Sequence, residues 1–478
     1  MEKTLSALVG AVNLILWDYL LIYALLGIGL FFTLYLGAPQ ITKLGAGFKS
    51  VFGGLFSKKD KDDKSLSQFQ ALAVAVSAQI GTGNVAGVAT AITAGGPGAI
   101  FWMWLSAVLG MSTIFAEALL AQKYRVVSHG KYIGGPAFYI THGLTPKIGR
   151  GAARFLSGFF SIALIIALGF IGNATQANSI ASSVTIAFNV PALAVGITLA
   201  VLAGMIIIGG VNRIANIAQF VVPFMAIIYI LCAVVILFEF SDHIVPMFNH
   251  IFTAAFNPEA VLGGAAGIGM REAVRYGVAR GLFSNDAGAG TTPSMHAAAN
   301  VKHPVNQGLS GMLGVFVTTI IVCSCTAFCI MLSGALNGQL TGIQLTQAAF
   351  SASFGDLGYW LVAAAMFLFG YTTLLANMYY GEVNTRYLFP DKKHAVTAYR
   401  IFALCLILFG SIVPVVSMWE FADLFGALMV LFNVIALFRL SKYVAFALRD
   451  YQEQKKVTDT PMWNYDDDIV ERYRNANR

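Results

Sequence analysis

The sequence predicts an all-α membrane protein of eleven transmembrane helices. Composition, run length and the placement of basic residues each predict it. Of 478 residues, 57% are hydrophobic and only 11% charged, with a mean hydropathy of +0.72; a soluble domain is about a quarter charged. Apolar runs near the roughly 20 residues that a helix needs to cross a bilayer recur from Trp17 to Leu440. The runs are continuous and do not alternate polar with apolar, which selects helices over a barrel. No short apolar segment with a small-residue cleavage site opens the chain, so no removable signal peptide is expected.

The runs place spans near 17–37, 68–94, 98–122, 154–177, 192–210, 214–238, 258–282, 306–333, 356–383, 399–416 and 419–441. With these boundaries, all but Lys3 of the 30 basic residues fall on one face. Positive loops stay cytoplasmic, so the amino end is expected outside and the carboxyl end inside, in a multi-pass plasma-membrane protein. Residues 1–67 form an extra first helix and a charged cytoplasmic loop. Residues 68–238 and 258–441 form two five-helix repeats, and 442–478 a cytoplasmic polar tail. Because five is odd, the second repeat starts on the opposite face and is inverted. The net charge of +7 reads as attraction to anionic lipid, not to nucleic acid.

Chemistry is expected where helices are irregular. Span two contains Gln79-Ile80-Gly81-Thr82-Gly83-Asn84. Each mid-helix glycine costs about 1 kcal/mol against alanine. Close helix packing explains Gly83 and Gly87, but not three polar side chains at one membrane depth. A broken helix explains both: freed carbonyls can hold a cation, and the positive end of a half-helix can hold a carboxylate. The counterpart in the second half is expected at Gly263-Gly264-Ala265-Ala266-Gly267-Ile268-Gly269-Met270. On span nine, Thr372 and Thr373 either bond back to the preceding turn or give a sodium ion two hard oxygens. Asn173, Gln176 and Asn178 form a further polar cluster on span four. Glu117 is expected to pair with a base such as Arg125.

Other classes fit poorly. Cys323, Cys325 and Cys329 cluster without the Cys/His spacing of a zinc site and read as packing residues. No zincin motif, P-loop or nucleophile elbow is present, so no enzyme is expected. A proton-coupled carrier needs an ionisable group at the site, and 81–84 contain no carboxylate.

The stretch Gly95-Gly96-Pro97-Gly98-Ala99-Ile100-Phe101-Trp102-Met103-Trp104 resembles the signature of the alanine or glycine:cation symporter family. Gly81-Thr82-Gly83-Asn84-Val85-Ala86-Gly87, Arg280-Gly281-Leu282-Phe283-Ser284-Asn285 and His303-Pro304-Val305-Asn306-Gln307-Gly308 extend the resemblance, which runs from about residue 15 to 445. Asp286 departs from it, standing where a glutamate is expected. The resemblance implies a LeuT-type five-plus-five core preceded by one helix, and sodium-coupled uptake of alanine or glycine. Carried over by position, Gly81, Thr82, Gly83 and Asn84 line the amino-acid site. Gln176 meets the substrate's polar end, and Gly267, Gly269 and Met270 form the opposite wall. Sodium, the co-transported ion, is expected on backbone oxygens near Ser77 and Ile80 and on the hydroxyls of Thr372 and Thr373. The expected partners are thus a small amino acid, sodium and the lipid bilayer.

Overall fold

The computed structural model describes residues 9–53, 65–128, 130–256, 269–336, 338–390, 392–413 and 416–464. Among these, eight helices are long and apolar enough to cross a membrane, or nine when a bent pair counts as one span. They are α1 (Val9–Tyr35), the bent pair α2 (Gln68–Gln79) and α3 (Gly83–Gly95), α4 (Ala99–Lys123), α5 (Arg150–Phe188), α6 (Val211–Glu239), α7 (Val305–Leu332), α8 (Asp356–Leu388), α9 (Lys393–Ile412) and α10 (Glu420–Lys455). The shorter apolar helix Ala192–Ile207 sits between α5 and α6. A hairpin of β1 (Val126–Ser128) and β2 (Lys131–Ile133) follows α4.

The centre of the bundle is held together by small residues. Helix α11 (Met270–Asn285) lies on α4 because a Cβ at Gly277 would strike the Ala99 carbonyl, and one at Gly281 the Ser106 hydroxyl. On its other flank α4 meets α7, where a Cβ at Gly308 would come within 2.7 Å of the Phe115 ring. Lipid tails are as apolar as the side chains, so close backbone approach, not hydrophobicity, drives this packing.

Two interruptions cross the middle of the bundle. The first ends α2: Ile80 leaves helical geometry (φ −88°, ψ 87°), and α3 departs at 51°. The second follows α11. That helix runs antiparallel to α3, since Gly95 meets Glu272 and Tyr276 while Gly83 meets Phe283. The chain then turns through Asp286 (φ 56°), Gly288 (φ 89°) and Gly290 (φ 79°) into the short helix Pro293–Ala297. It reaches the foot of α2, where Leu66 pairs with Ala299. Residues 270–299 therefore travel the full length of the first broken span in the opposite direction.

Among the described residues, the non-helical backbone beside the first break is Asp286–Thr292. Of the expected second irregular stretch, residues 263–268, Gly267 included, lie outside the described residues. Gly269 and Met270 stand at the Gly95 end of α11, with Met270 47% exposed. The charge reading changes with it. Arg271 donates to the Tyr19 hydroxyl, and Arg275 and Arg280 share a cavity with Gly10, Asn13 and Trp17. These three bases thus occupy the half of the bundle that holds the amino end of α1. The hydropathy pattern misplaced them because a span broken in the middle shows no continuous apolar run.

Candidate functional site

The first break exposes backbone oxygens in the protein interior. In a continuous helix the Gly81 amide would bond to the Ser77 carbonyl. Here it donates to Asn84 Oδ1 at 3.2 Å, which frees that carbonyl. Thr373 on α8 fills the gap: its hydroxyl oxygen lies 2.8 Å from the Ser77 oxygen, 3.2 Å from the Ile80 oxygen and 2.9 Å from the Phe369 oxygen. A threonine hydroxyl has a single proton. One donor among three carbonyls makes a knot of oxygen with more lone pairs than protons. Thr372 is buried alongside, but its hydroxyl bonds back to Leu368 and Phe369 of its own helix.

Glycine at 81 permits this approach. A Cβ there would lie 2.7 Å from Thr373 Oγ1 and 3.3 Å from Gln176 Nε2. Gln176 reaches the same point from α5 and accepts from the Thr82 amide at 3.4 Å. The Thr82 hydroxyl is buried and has no hydrogen-bond partner among the described residues. Thr82 also lines a cavity of about 230 Å³ together with Gly83, Ala86, Ser179, Arg280 and Phe283. Ser77, Ile80, Gly81, Thr82, Gly83, Gln176 and Thr373 therefore converge.

Asn84 is expected to line the amino-acid site, and its side chain is engaged elsewhere. Besides capping Gly81, it donates to the Ser284 hydroxyl at 2.9 Å and the Thr318 carbonyl at 3.0 Å. Cys323 completes this hub, its thiol 3.0 Å from the Ser284 hydroxyl. Asn178 joins helices by donating to the carbonyls of Gly410 and Val413. Asn173 bonds back to Gly169.

The second break is stapled by Glu117, and not through an ion pair with Arg125. Its carboxylate accepts from the Gly288 and Gly290 amides, both at 3.0 Å, and from Asn433 Nδ2 at 2.5 Å. Arg125 instead donates to the carbonyls of Ala297 and Ala299 and lies over the Tyr132 ring. The two breaks touch where Gln79 Nε2 donates to the Asn285 carbonyl at 2.6 Å. Sequence reasoning missed Phe283 and Asn285 as neighbours of the first break, and Gly288 and Gly290 as the amides that hold Glu117. The available signal was Asn285-Asp286-Ala287-Gly288-Ala289-Gly290, a run of turn-forming residues that hydropathy assigns to a loop.

A broken helix with bare carbonyls beside a small cavity is an arrangement for an ion and a zwitterion. The model of the sodium:alanine symporter family matches residues 2–464. The chain belongs to that family. Family members of similar sequence include a sodium/alanine symporter of Methanococcus maripaludis, 39% identical over 94% of this chain and 98% of its own. A probable sodium/glutamine symporter of Bacillus subtilis is 38% identical over 98% of this chain and 95% of its own. A putative sodium/proton-dependent alanine carrier of the same bacterium is 39% identical over 95% and 94%. As a symporter-family protein with many apolar helices, the chain is a multi-pass membrane transporter.

Proposed function

We propose that this symporter-family protein takes up a small neutral amino acid together with sodium by alternating access. The observation that carries the reading is the Thr373 hydroxyl set among the carbonyls of Ser77, Ile80 and Phe369. Sodium would take the Ser77 and Ile80 oxygens and Thr373 Oγ1, with Thr372 one residue away. The amino acid would sit at Gly81, Thr82 and Gly83, its carboxylate on the positive end of α3 and its polar end on Gln176. Phe283, Ser284 and Asn285 would supply the opposite wall in place of Gly269 and Met270. A cavity of about 230 Å³, below the 300–1,000 Å³ typical of ligand pockets, favours a small side chain such as that of alanine, glycine or serine.

The proposed architecture is a LeuT-type pair of inverted five-helix repeats after one extra helix, eleven spans in all. Its support is a repeated order of elements. After α4 comes the 13-residue helix Pro136–Ile148 and then the long α5. After α7 comes the 13-residue helix Gly342–Phe354 and then the long α8. The amino end is proposed outside and the carboxyl end inside.

Sodium couples to substrate by ordering the break: each ligand binds better with the other present, and the coupling is reciprocal. The membrane potential adds about 2.3 kcal/mol per charge per 100 mV. The test is uptake of labelled alanine into proteoliposomes under a sodium gradient, a pH gradient, or neither. Uptake driven by sodium and competed by small neutral amino acids supports the proposal. Uptake driven by the pH gradient without sodium overturns it.

A further inference from the structure

A cavity that the mechanism leaves unused lies away from both breaks. It encloses about 370 Å³ between the β1–β2 hairpin, the turn before α6, α8 and the start of α9. Lys131, Arg386, Lys393 and Arg400 line it, with Glu382 as the only carboxylate in its wall among the described residues. Glu382 is consumed by two partners: Arg386 Nη2 lies 2.8 Å from one oxygen and Arg400 Nη2 2.7 Å from the other. Lys131 and Lys393 have no carboxylate partner among the described residues. The wall is therefore strongly cationic.

Two details show that the cationic wall is shaped toward an anion. The first is the floor. Gly210 (φ 69°) precedes the 29-residue helix α6, and the Lys131 ammonium lies only 3.3 Å from where a Gly210 Cβ would sit. A lysine laid on the positive end of a long helix is repelled by it, unless an anion sits between them. The second is Tyr379. It is 4% exposed and lines the cavity, yet its buried hydroxyl has no hydrogen-bond partner among the described residues. A buried hydroxyl without a partner costs about 1–3 kcal/mol, and an acceptor oxygen in the cavity would satisfy it.

We propose that this cavity binds the phosphate of an anionic phospholipid head group. The phosphate would lie between Lys131, Lys393 and the outer N–H groups of Arg386 and Arg400, with the Tyr379 hydroxyl donating to it. Lipid is favoured over a soluble phosphate because the rim includes Ile208, which is 75% exposed. An apolar rim beside a basic pocket between membrane helices suits acyl chains below a charged head group.

The test uses the purified full-length chain. Its thermal unfolding is followed in detergent with added phosphatidylglycerol, phosphatidylcholine or inorganic phosphate. The expected result is a rise in unfolding temperature with phosphatidylglycerol alone. In the double variant Lys131→Gln/Lys393→Gln the concentration giving half of that rise should increase about thirtyfold, at about five- to sixfold per lost lysine. Lys131→Arg/Lys393→Arg should keep the response and controls for folding. Tyr379→Phe should weaken it with phosphatidylglycerol and leave unfolding without lipid unchanged. Equal responses to the two lipids overturn the proposal, as does an unaltered phosphatidylglycerol response in the Lys→Gln variant. Stabilisation by inorganic phosphate as large as that by lipid overturns the lipid assignment.

Discussion

Replacing Gly81 by alanine tests the ion site most directly. The new methyl would stand 2.7 Å from Thr373 Oγ1 and 3.3 Å from Thr373 Cγ2, well inside van der Waals contact. The break offers little room to retreat, because Gln176 closes the other side at 3.3 Å. Thr373 must therefore rotate, giving up its positions beside the Ser77 and Ile80 oxygens. Overpacking of this kind costs about 1–3 kcal/mol of stability. The functional cost is separate. A hydroxyl contact to a charged group is worth about 1.5–3 kcal/mol, so the sodium concentration for half-maximal uptake should rise roughly 10- to 100-fold. The assay is alanine uptake in proteoliposomes against sodium, with thermal unfolding measured in parallel. Thr373→Ala alone should raise sodium demand to a similar extent. The double variant should be no worse than Thr373→Ala, since with the threonine side chain cut back the methyl has less to strike. Additive penalties, or an unshifted sodium curve in Gly81→Ala, would falsify the placement of sodium at Thr373.

Three further outcomes are expected. The Gly288 and Gly290 amides bond to different oxygens of Glu117, and Glu117→Gln turns one of those oxygens into an NH2 donor, so the two amides cannot both keep their bonds. Uptake should fall at least tenfold, with hydrogen exchange rising at 286–292; unchanged exchange would mean that Glu117 does not hold the second break. Glu382→Gln leaves Arg386 and Arg400 facing each other without a carboxylate, and should lower unfolding free energy by about 3 kcal/mol; a change below about 0.5 kcal/mol in denaturation would show that the two guanidinium groups do not depend on it. The third concerns pH. His303 Nε2 pairs with Asp450 and its Nδ1 accepts from the Val305 amide, the pattern of a neutral ring. Burial holds its imidazole below the ordinary 6.5, against the opposing pull of Asp450. The unfolded chain therefore binds this proton more readily, so the contribution is full above pH 6.5 and declines as pH falls below it. His303 also packs edge-on against Trp463, whose amide donates to the Lys302 carbonyl. Protease cleavage within 456–464 should accelerate between pH 6.5 and 5 in the native protein but not in His303→Gln; equal acceleration in both would assign the effect to other groups.

Much of this protein was legible in its residues. Apolar runs betray helices in lipid because every backbone polar group must be satisfied inside its own segment. Gly81 and Gly83 betrayed the first break because polar side chains crowd around them at mid-span. The pairing of that break with Thr373 and Gln176 also followed from the family resemblance, and the structure brings those side chains together.

What the residues could not show was the second break. A chain that bends in mid-membrane divides its apolar pattern into pieces too short to register, so 286–292 read as a loop. Only the packing of Gly83 on Phe283 and of Gly95 on Tyr276 reveals how deep each residue of α11 lies. The partners of Glu117 were equally hidden. Its donors come from Gly288, Gly290 and Asn433, far apart in the chain, and a carboxylate carries no sign of which distant amides it will meet. Local chemistry sets where a helix can break, whereas the partners that hold the break open are decided by contacts between remote segments.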